Sequence, residues 1–313
     1  MTAMDDPQRI ERAAQVMKVG SRSFAAAARL FDAPTRESAV LLYAWCRHCD
    51  DVVDGQVLGH GQREGDRGDA LQRLDRLQEL TRAACEGRPV DDPVFIGLAE
   101  VVHRHGIPAA LVQEHLRGFA MDVHGVRYDS LDDTLQYCWR VAGVVGVMMA
   151  RVMGASDPGV LDRACDLGMA FQMTNIARDV VEDAAIGRVY LPAEWLREEG
   201  LHALPDMLDP AQRDALARVA ARLVAEAEPY YRSALAGIAE LPLRRAWSIA
   251  TARGVYREIG RKVCRHGGTA WDERIGTGTL EKLWFVARGA AVALAAPRVA
   301  LPERTEGLFT RPM

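Results

Sequence analysis

Apolar residues recur at steps of three and four along nearly the whole chain, and the alternating pattern of a β-strand is absent. Alanine, leucine, arginine and glutamate dominate the segments between breaks, and these residues favour helix. Glycine and proline interrupt the pattern where helix ends would fall. The predicted breaks lie at residues 32–35, 86–93, 106–108, 154–159, 187–192, 200–210, 241–242 and 267–278. The sequence therefore predicts an all-α fold.

One segment departs from the helical pattern at length. Residues 55–69, GQVLGHGQREGDRGD, are rich in glycine and charge, and we expect a mobile loop there. No internal repeat and no shift in composition marks a linker elsewhere. We therefore predict a single domain over residues 1–313.

Composition and charge narrow the class of protein. The chain has 313 residues, 49% of them hydrophobic, which is enough for a large core. Its net charge is −4 and no run of lysine or arginine appears, so we expect no nucleic-acid partner. The uncharged stretch at residues 141–150 is far shorter than the roughly 18 residues of a membrane span, and the first residues do not resemble a signal peptide. We expect a cytoplasmic protein, soluble or peripherally bound to a membrane.

The first candidate site is the acidic stretch AWCRHCDDVVDG, which directly follows an apolar run. Asp50 and Asp54 are four residues apart and share one helix face, where their repulsion would cost about 3 kcal/mol at ~5 Å and an effective dielectric of ~20. The stretch is either a solvated helix end or a pair of carboxylates for a hard divalent cation such as Mg²⁺. Arg47, on the adjoining face, would either pair with these acids or bind a diphosphate.

The second candidate site is the stretch FQMTNIARDVVEDAAIGRVYLP, residues 171–192. Its polar positions fall at steps of three, four and four, and on a helix they form one stripe: Gln172, Asn175, Asp179 and Asp183. Arg178 again lies beside the carboxylates. If the two acidic helices face each other, their cavity is self-repulsive unless it holds divalent cations and diphosphate. The metals would then help diphosphate to leave, and the resulting allylic cation would need apolar, weakly nucleophilic walls.

Taken together, these motifs make the chain resemble the bacterial branch of the squalene/phytoene synthase family over essentially its whole length. The segments that carry the resemblance are GSRSFAAAARLFD, LLYAWCRHCDDVVDG, GFAMDV, YCWRVAGVVG, residues 171–192, EPYY and ARGVYREIG. The resemblance implies an all-α, single-domain isoprenoid (trans-prenyltransferase) synthase fold with a central cavity between two Asp-rich helices.

The resemblance also implies a reaction and its components. Two molecules of geranylgeranyl diphosphate would condense head to head through prephytoene diphosphate to phytoene, with release of diphosphate and no reductant, as the first step of carotenoid biosynthesis. Several Mg²⁺ or Mn²⁺ ions per site would be the cofactors, and stimulation by ATP stays open. Other carotenoid enzymes are expected partners.

The resemblance further assigns roles to residues by motif. The metal ligands would be Asp50, Asp54, Asn175, Asp179 and Asp183. The diphosphate would be bound by Arg47 and Arg178, with Gln172 alongside, and capped by Ser21 and Ser23. Arg188 would either reach the second diphosphate from the loop after the acidic helix or be a surface arginine. Tyr43, Tyr137 and Tyr256 would line the site and stabilise a passing cation, with ordinary core packing as the alternative. Phe24 would either form the cavity wall or be an ordinary core residue, and the role of Asp122 stays open.

Two other functions remain to be compared. A squalene or dehydrosqualene synthase would use two C15 farnesyl diphosphates. A non-catalytic lipid-binding assembly factor should have lost carboxylates from its Asp-rich helices, whereas this chain keeps both sets.

Because the product is an insoluble hydrocarbon, we also expect peripheral contact with the inner membrane. Residues 279–297 are the candidate surface, unless they form an ordinary core helix.

Overall fold

The computed structural model describes residues 6–55, 67–298 and 303–312, and no β-strand occurs in these ranges. The all-α prediction is therefore confirmed. The α-helices, in chain order, are α1 Asp6–Gly20, α2 Arg22–Ala28, α3 Ala33–Asp54, α4 Arg67–Cys85, α5 Pro93–His105, α6 Ala109–His124, α7 Leu131–Cys138, α8 Val144–Val152, α9 Pro158–Ala185, α10 Ala193–Glu198, α11 Leu204–Leu208, α12 Arg213–Ala239, α13 Leu243–His266 and α14 Thr279–Ala295.

Local sequence fixes the ends of the two helices that carry the acidic motifs. Asp32 caps α3 by accepting a hydrogen bond from the backbone N–H of Thr35, and Gly55, with φ of 64°, ends the helix directly after Asp54. Asp157 caps α9 in the same way, and Pro158 occupies its first turn. Both acidic motifs therefore lie near the C-terminal ends of long helices.

Helix α9 lies at the centre of the fold. It packs against α8, α12 and α13, and apolar residues point from it in most directions. Two glycines permit its close approach to the preceding segment. A Cβ atom on Gly168 would lie 2.3 Å from the carbonyl oxygen of Ala142, and one on Gly146 would lie 2.2 Å from that of Ala164. At the centre of the molecule, the backbone of α9 therefore lies in direct contact with the backbone of residues 142–146.

A five-residue π-helix, Trp139–Gly143, joins α7 to α8. Such a segment departs from the regular i to i−4 hydrogen-bond pattern and is often found at functional sites. The sequence analysis predicted neither this segment nor the break between α6 and α7. The break was visible in the sequence, because Gly125 ends α6 with φ of 63° and Ser130 opens α7 with a capping box to Asp133.

The prediction of a loop over residues 55–69 is wrong at its C-terminal boundary. Helix α4 begins at Arg67, and Asp69 lies in its first turn, where a negative charge stabilises the positive end of the helix dipole. Residues 56–66 lie outside the described residues. Within the described ranges, no helix is long and apolar enough to cross a membrane.

Candidate active site

A cavity of about 380 Å³ runs through the molecule alongside α9. On α9 it extends from Asn175 to Val160, fifteen residues or ~22 Å of helix. Its walls are mainly apolar side chains from α2, α3, α6, α8, α12 and α13. Arg47 and Asp50 of α3 line the same cavity as Gln172 and Asn175 of α9. The two acidic motifs therefore meet at one mouth, as predicted.

The remaining acidic residues lie outside the lining of this cavity. Asp54 is one turn beyond Asp50 on α3, and Asp179 and Asp183 are one and two turns beyond Asn175 on α9. The carboxylates thus extend from the mouth along two helices that face it.

On α3, the arginine of the motif neutralises its acidic neighbours. Arg47 pairs with Asp50 at 2.9 Å and with Asp51 at 2.9 Å. Asp50 keeps 37% of its side-chain surface accessible, and the rest is buried. That burial, together with the negative charge of Asp54, raises the pKa of Asp50 to about 7.

On α9, the arrangement is similar. Arg178 donates to Asp179 from Nε at 2.7 Å and also from Nη2, and Arg274 lies 3.2 Å from the same carboxylate. Burial and the adjacent charge of Asp179 raise the pKa of Asp183 well above its usual range. Asn175 donates weakly to Gln172 at 3.5 Å.

Arg188 connects the two motif helices. It lies in the loop after α9 and donates from Nη1 to Asp54 Oδ2 at 3.0 Å, with a second bond from Nη2 to Oδ1. Asp54 and Arg188 are only 10% and 22% exposed, so this bidentate pair is largely shielded from water. Each arginine predicted to bind diphosphate is therefore paired with a motif carboxylate in this structure.

Asp122 lies next to this pair and accepts hydrogen bonds from two tyrosines. Tyr190 donates to it at 2.9 Å and Tyr137 at 3.2 Å, and the two rings stack at 4.4 Å. Burial raises the pKa of Asp122 to about 6, although the positive charge of Arg188 opposes the shift. Tyr190 was not among the predicted site residues, although it lies two residues after Arg188 within the stretch 171–192.

The wall of the cavity next to Gln172 is aromatic. Phe24 lies 6.1 Å from Tyr43 and 5.6 Å from Tyr256, measured between ring centroids. Phe171, which the sequence analysis did not name as a site residue, stacks on Tyr256 at 4.2 Å. Its position directly before Gln172 was visible, but nothing in the sequence showed that its ring faces Tyr256. These rings line the same cavity as the charged residues of the mouth and give it an aromatic surface.

The GSRSF segment positions this wall. Ser21 caps α2 by accepting from the backbone N–H of Phe24 at 3.2 Å. Burial raises the pKa of Tyr256, while Arg178 and the Ser21 hydroxyl act to lower it, so all three groups are neighbours. Gly20 lies close to this wall, since a Cβ there would lie 2.6 Å from the hydroxyl oxygen of Tyr43 and would displace that side chain. The side chain of Ser23 lies outside the described part of the structure.

A buried histidine also lines the cavity, and the sequence analysis did not anticipate it. His115 of α6 is 2% exposed, and its Nδ1 lies 3.1 Å from the backbone oxygen of Arg140. Its ring packs against Trp45 at 5.3 Å and Phe119 at 4.8 Å. Burial lowers its pKa to about 4. Nε2 has no hydrogen-bond partner among the described residues.

The donor set at the mouth fits a hard cation that arrives with its substrate. Within the described ranges, no three His, Cys, Asp or Glu side chains lie close enough together to hold a metal ion by themselves. Mg²⁺ often takes only one or two carboxylates and completes its shell with water and phosphate oxygens. The side-chain oxygen of Asn175 is buried and has no partner among the described residues, which suits an incoming cation.

Comparison with known proteins places this geometry in a family. The model of the squalene/phytoene synthase family matches residues 17–281. A 15-cis-phytoene synthase of Pantoea ananas is 53% identical over 310 residues, which cover 99% of this chain and all of the relative. A 15-cis-phytoene synthase of a Paracoccus strain is 47% identical over 94% of both chains.

Solved structures agree on the fold. A crystal structure of a dehydrosqualene synthase in complex with a ligand superposes with a TM-score of 0.82 at 24% identity. The match covers 93% of this chain and 98% of that protein. With its all-α cavity and its two facing acidic motifs, the chain belongs to the squalene/phytoene synthase family.

Proposed function

We propose that this protein is a prenyltransferase that condenses two molecules of geranylgeranyl diphosphate, through prephytoene diphosphate, to phytoene. The observation that carries the proposal is a single cavity with a charged mouth and a long apolar interior. A prenyl diphosphate has the same two parts, a diphosphate head and a hydrocarbon tail. The relatives that share about half of the sequence and bear the name phytoene synthase favour the C20 substrate over C15.

The motif residues would hold the metal and the diphosphate. Asp50, Asp54, Asn175, Asp179 and Asp183 supply the hard oxygen donors suited to Mg²⁺ or Mn²⁺. When bound, such ions supply positive charge that stabilises the departing diphosphate. As the carboxylates take up this role, Arg47, Arg178 and Arg188 exchange their carboxylate partners for diphosphate oxygens, which the guanidinium group also binds in bidentate fashion.

The aromatic wall acts on the carbon skeleton. After diphosphate leaves, the allylic cation lies against side chains that are mainly apolar. The faces of Tyr43, Phe171 and Tyr256 stabilise positive charge and exclude water. Gln172 and the Ser21 cap orient the diphosphate above this wall. Tyr137, whose hydroxyl donates to Asp122, also lines the cavity.

The proposal is tested by product identification. Purified protein is incubated with labelled C20 or C15 diphosphate and Mg²⁺, with and without NADPH. We expect phytoene from the C20 substrate without NADPH, and loss of product in D50N but not in D75N, which alters an exposed aspartate of α4. Squalene or dehydrosqualene as the main product from C15 would favour the alternative enzyme. A wild-type protein that consumes neither substrate would favour a non-catalytic lipid-binding role.

We further propose that α14 rests on a membrane surface. Its inner side, with Phe285, Gly289 and Ala293, is buried against α13. Its outer side is apolar although it faces solvent, and the steps of four, three, four and three place these residues on one face: Leu280, Trp284, Ala287, Ala291 and Leu294. Leu280, Leu283 and Trp284 are 81%, 60% and 63% exposed. An apolar stripe on a stable helix, with exposed Arg288 nearby, suits the surface of an anionic bilayer.

Flotation with vesicles that contain phosphatidylglycerol tests this contact. We expect the wild-type protein to float and L280S/L283S/W284S to remain in solution, while L71S, at an exposed leucine of α4, floats normally. Equal flotation of the triple variant would contradict the proposal.

The preference for Mg²⁺ or Mn²⁺, the stimulation by ATP and the contact with other carotenoid enzymes stay predictions.

A further inference from the structure

We propose that His115 Nε2 accepts the proton that is lost in the last step, when the C40 cation becomes the neutral hydrocarbon. This inference rests on the proposed function, since it concerns the second half of that reaction. It assigns a catalytic role to a residue outside the acidic motifs.

The surroundings of the imidazole fix its tautomer. Nδ1 lies 3.1 Å from the carbonyl oxygen of Arg140, and a carbonyl can only accept a hydrogen bond, so Nδ1 carries the proton. Nε2 therefore keeps its lone pair. That lone pair has no hydrogen-bond donor among the described residues.

The position of His115 suits the reacting carbons. It lies seven residues before Asp122 on α6, or ~10 Å along the helix, and packs on Trp45, five residues before Asp50 on α3. The histidine therefore lies one to two turns below the charged mouth. A carbon that loses diphosphate at the mouth lies between the charged residues and the apolar interior of the same cavity, which His115 also lines.

The tyrosine, thiol and guanidinium groups that line the cavity are poorer proton acceptors. Burial raises the pKa values of the Tyr43 and Tyr137 hydroxyls and of the Cys46 thiol, so these groups stay protonated. Arg47 and Arg163 are cations. Asp50, with its pKa raised to about 7, is the more basic group, but it pairs with Arg47 in the charged motif at the mouth. Among the described residues that line the cavity, His115 is the one with a neutral basic nitrogen.

The proton transfer balances without a further reactant. A C–H bond next to the cationic carbon breaks, its electron pair forms the central double bond, and the proton joins the lone pair of Nε2. The imidazolium formed in this apolar site has a low pKa and readily passes its proton to diphosphate or water. Nε2 itself has almost no accessible surface, so the C–H bond comes within reach of its lone pair only when the ring or the adjacent wall shifts around the bound intermediate.

The experiment supplies prephytoene diphosphate directly, with Mg²⁺, and compares the C40 products of wild type, H115N and H115F. Asparagine keeps an N–H donor for the Arg140 carbonyl and phenylalanine keeps the ring, but neither has the basic nitrogen. W45F is the matched control, because it alters the packing around His115 and keeps the nitrogen. We expect both His115 variants to consume the substrate, while the phytoene share falls at least about tenfold and C40 alcohols from water capture rise. W45F should keep the wild-type share.

An unchanged phytoene share in H115N and H115F would overturn the inference. An equal shift in W45F would also overturn it, because wall shape rather than the nitrogen would then control the product. With geranylgeranyl diphosphate as substrate, a variant that stalls before prephytoene diphosphate would place the nitrogen at the first half-reaction instead, and so contradict this assignment. If the wild-type protein itself makes no phytoene, the proposed function fails.

Discussion

Arg188 Nη1 lies 3.0 Å from Asp54 Oδ2, and this ion pair joins the loop after α9 to the end of α3 across 134 residues of sequence. The two acidic motifs do not bond to each other directly at this point. A cation that belongs to neither Asp-x-x-x-Asp pair holds the carboxylates of one motif next to the other. The same guanidinium acts on Asp122 and Asp183, and so balances much of the negative charge at the mouth.

Replacing this arginine should therefore affect both folding and catalysis. We expect R188Q to lower the free energy of unfolding by about 2–3 kcal/mol, because Asp54 stays buried without its partner. Activity should fall about 100-fold, since a group that binds the departing diphosphate is lost. Denaturant unfolding and steady-state kinetics measure the two effects.

A double-mutant cycle separates the pair from general damage. R188Q/D54N should recover most of the lost stability, because the unpaired carboxylate is gone. R76Q breaks a pair whose partners are more than 60% exposed, and should change the unfolding free energy by less than about 1 kcal/mol. Additive effects of R188Q and D54N would show that the pair does not stabilise the fold.

Asn175 offers a test of the metal site that does not depend on folding. Its side-chain oxygen is buried without a partner among the described residues, so N175A should leave the unfolding free energy in EDTA within about 0.5 kcal/mol of wild type. The Mg²⁺ concentration for half-maximal activity should rise about tenfold, because a hard donor is lost.

N175D is the matched variant for this test. It keeps an oxygen donor and adds charge, so it should unfold more easily in EDTA and regain stability with Mg²⁺. If N175A and wild type need the same Mg²⁺ concentration, Asn175 is not a metal ligand.

The close contact at the centre of the fold predicts a position that does not tolerate even one methyl group. In G168A the new Cβ would lie 2.3 Å from the Ala142 carbonyl oxygen and 2.9 Å from Gly143 Cα, and backbone atoms cannot rotate away. We expect a loss of about 3 kcal/mol in unfolding free energy. G276A, where no atom lies within 4 Å of the added Cβ, is the control and should stay within about 0.5 kcal/mol. Similar melting temperatures for both variants would disprove the steric argument.

The buried histidine predicts a pH-dependent stability. Burial lowers the pKa of His115 to about 4, whereas in the unfolded chain it returns to about 6.5. Below the higher pKa the unfolded chain binds a proton that the folded protein does not, so this contribution to stability is lost as the pH falls from about 6.5 towards 4. Between pH 7 and pH 5 the wild-type protein should lose about 2 kcal/mol more than H115N. Urea unfolding at several pH values measures this difference, and parallel curves for the two proteins would refute the burial argument.

The sequence by itself determined the helical class, most helix ends and the two polar stripes. These features depend on local patterns: caps such as Asp32 and Asp157, the positive φ of Gly55, and the three- and four-residue spacing of Gln172, Asn175, Asp179 and Asp183. The sequence also carried the family resemblance, because the motifs are long.

Only the tertiary structure decided which distant groups meet. Arg188 pairs with Asp54, Tyr190 donates a hydrogen bond to Asp122, and Phe171 stacks on Tyr256. Each pair joins residues that are 68 or more positions apart. His115 is inconspicuous in the sequence, since a histidine on an amphipathic helix has no local mark of function. Its fixed tautomer and unpartnered nitrogen arise from the Arg140 carbonyl and the aromatic rings packed around it. Local spacing specifies which face a side chain occupies, but its partners are set by how the helices pack.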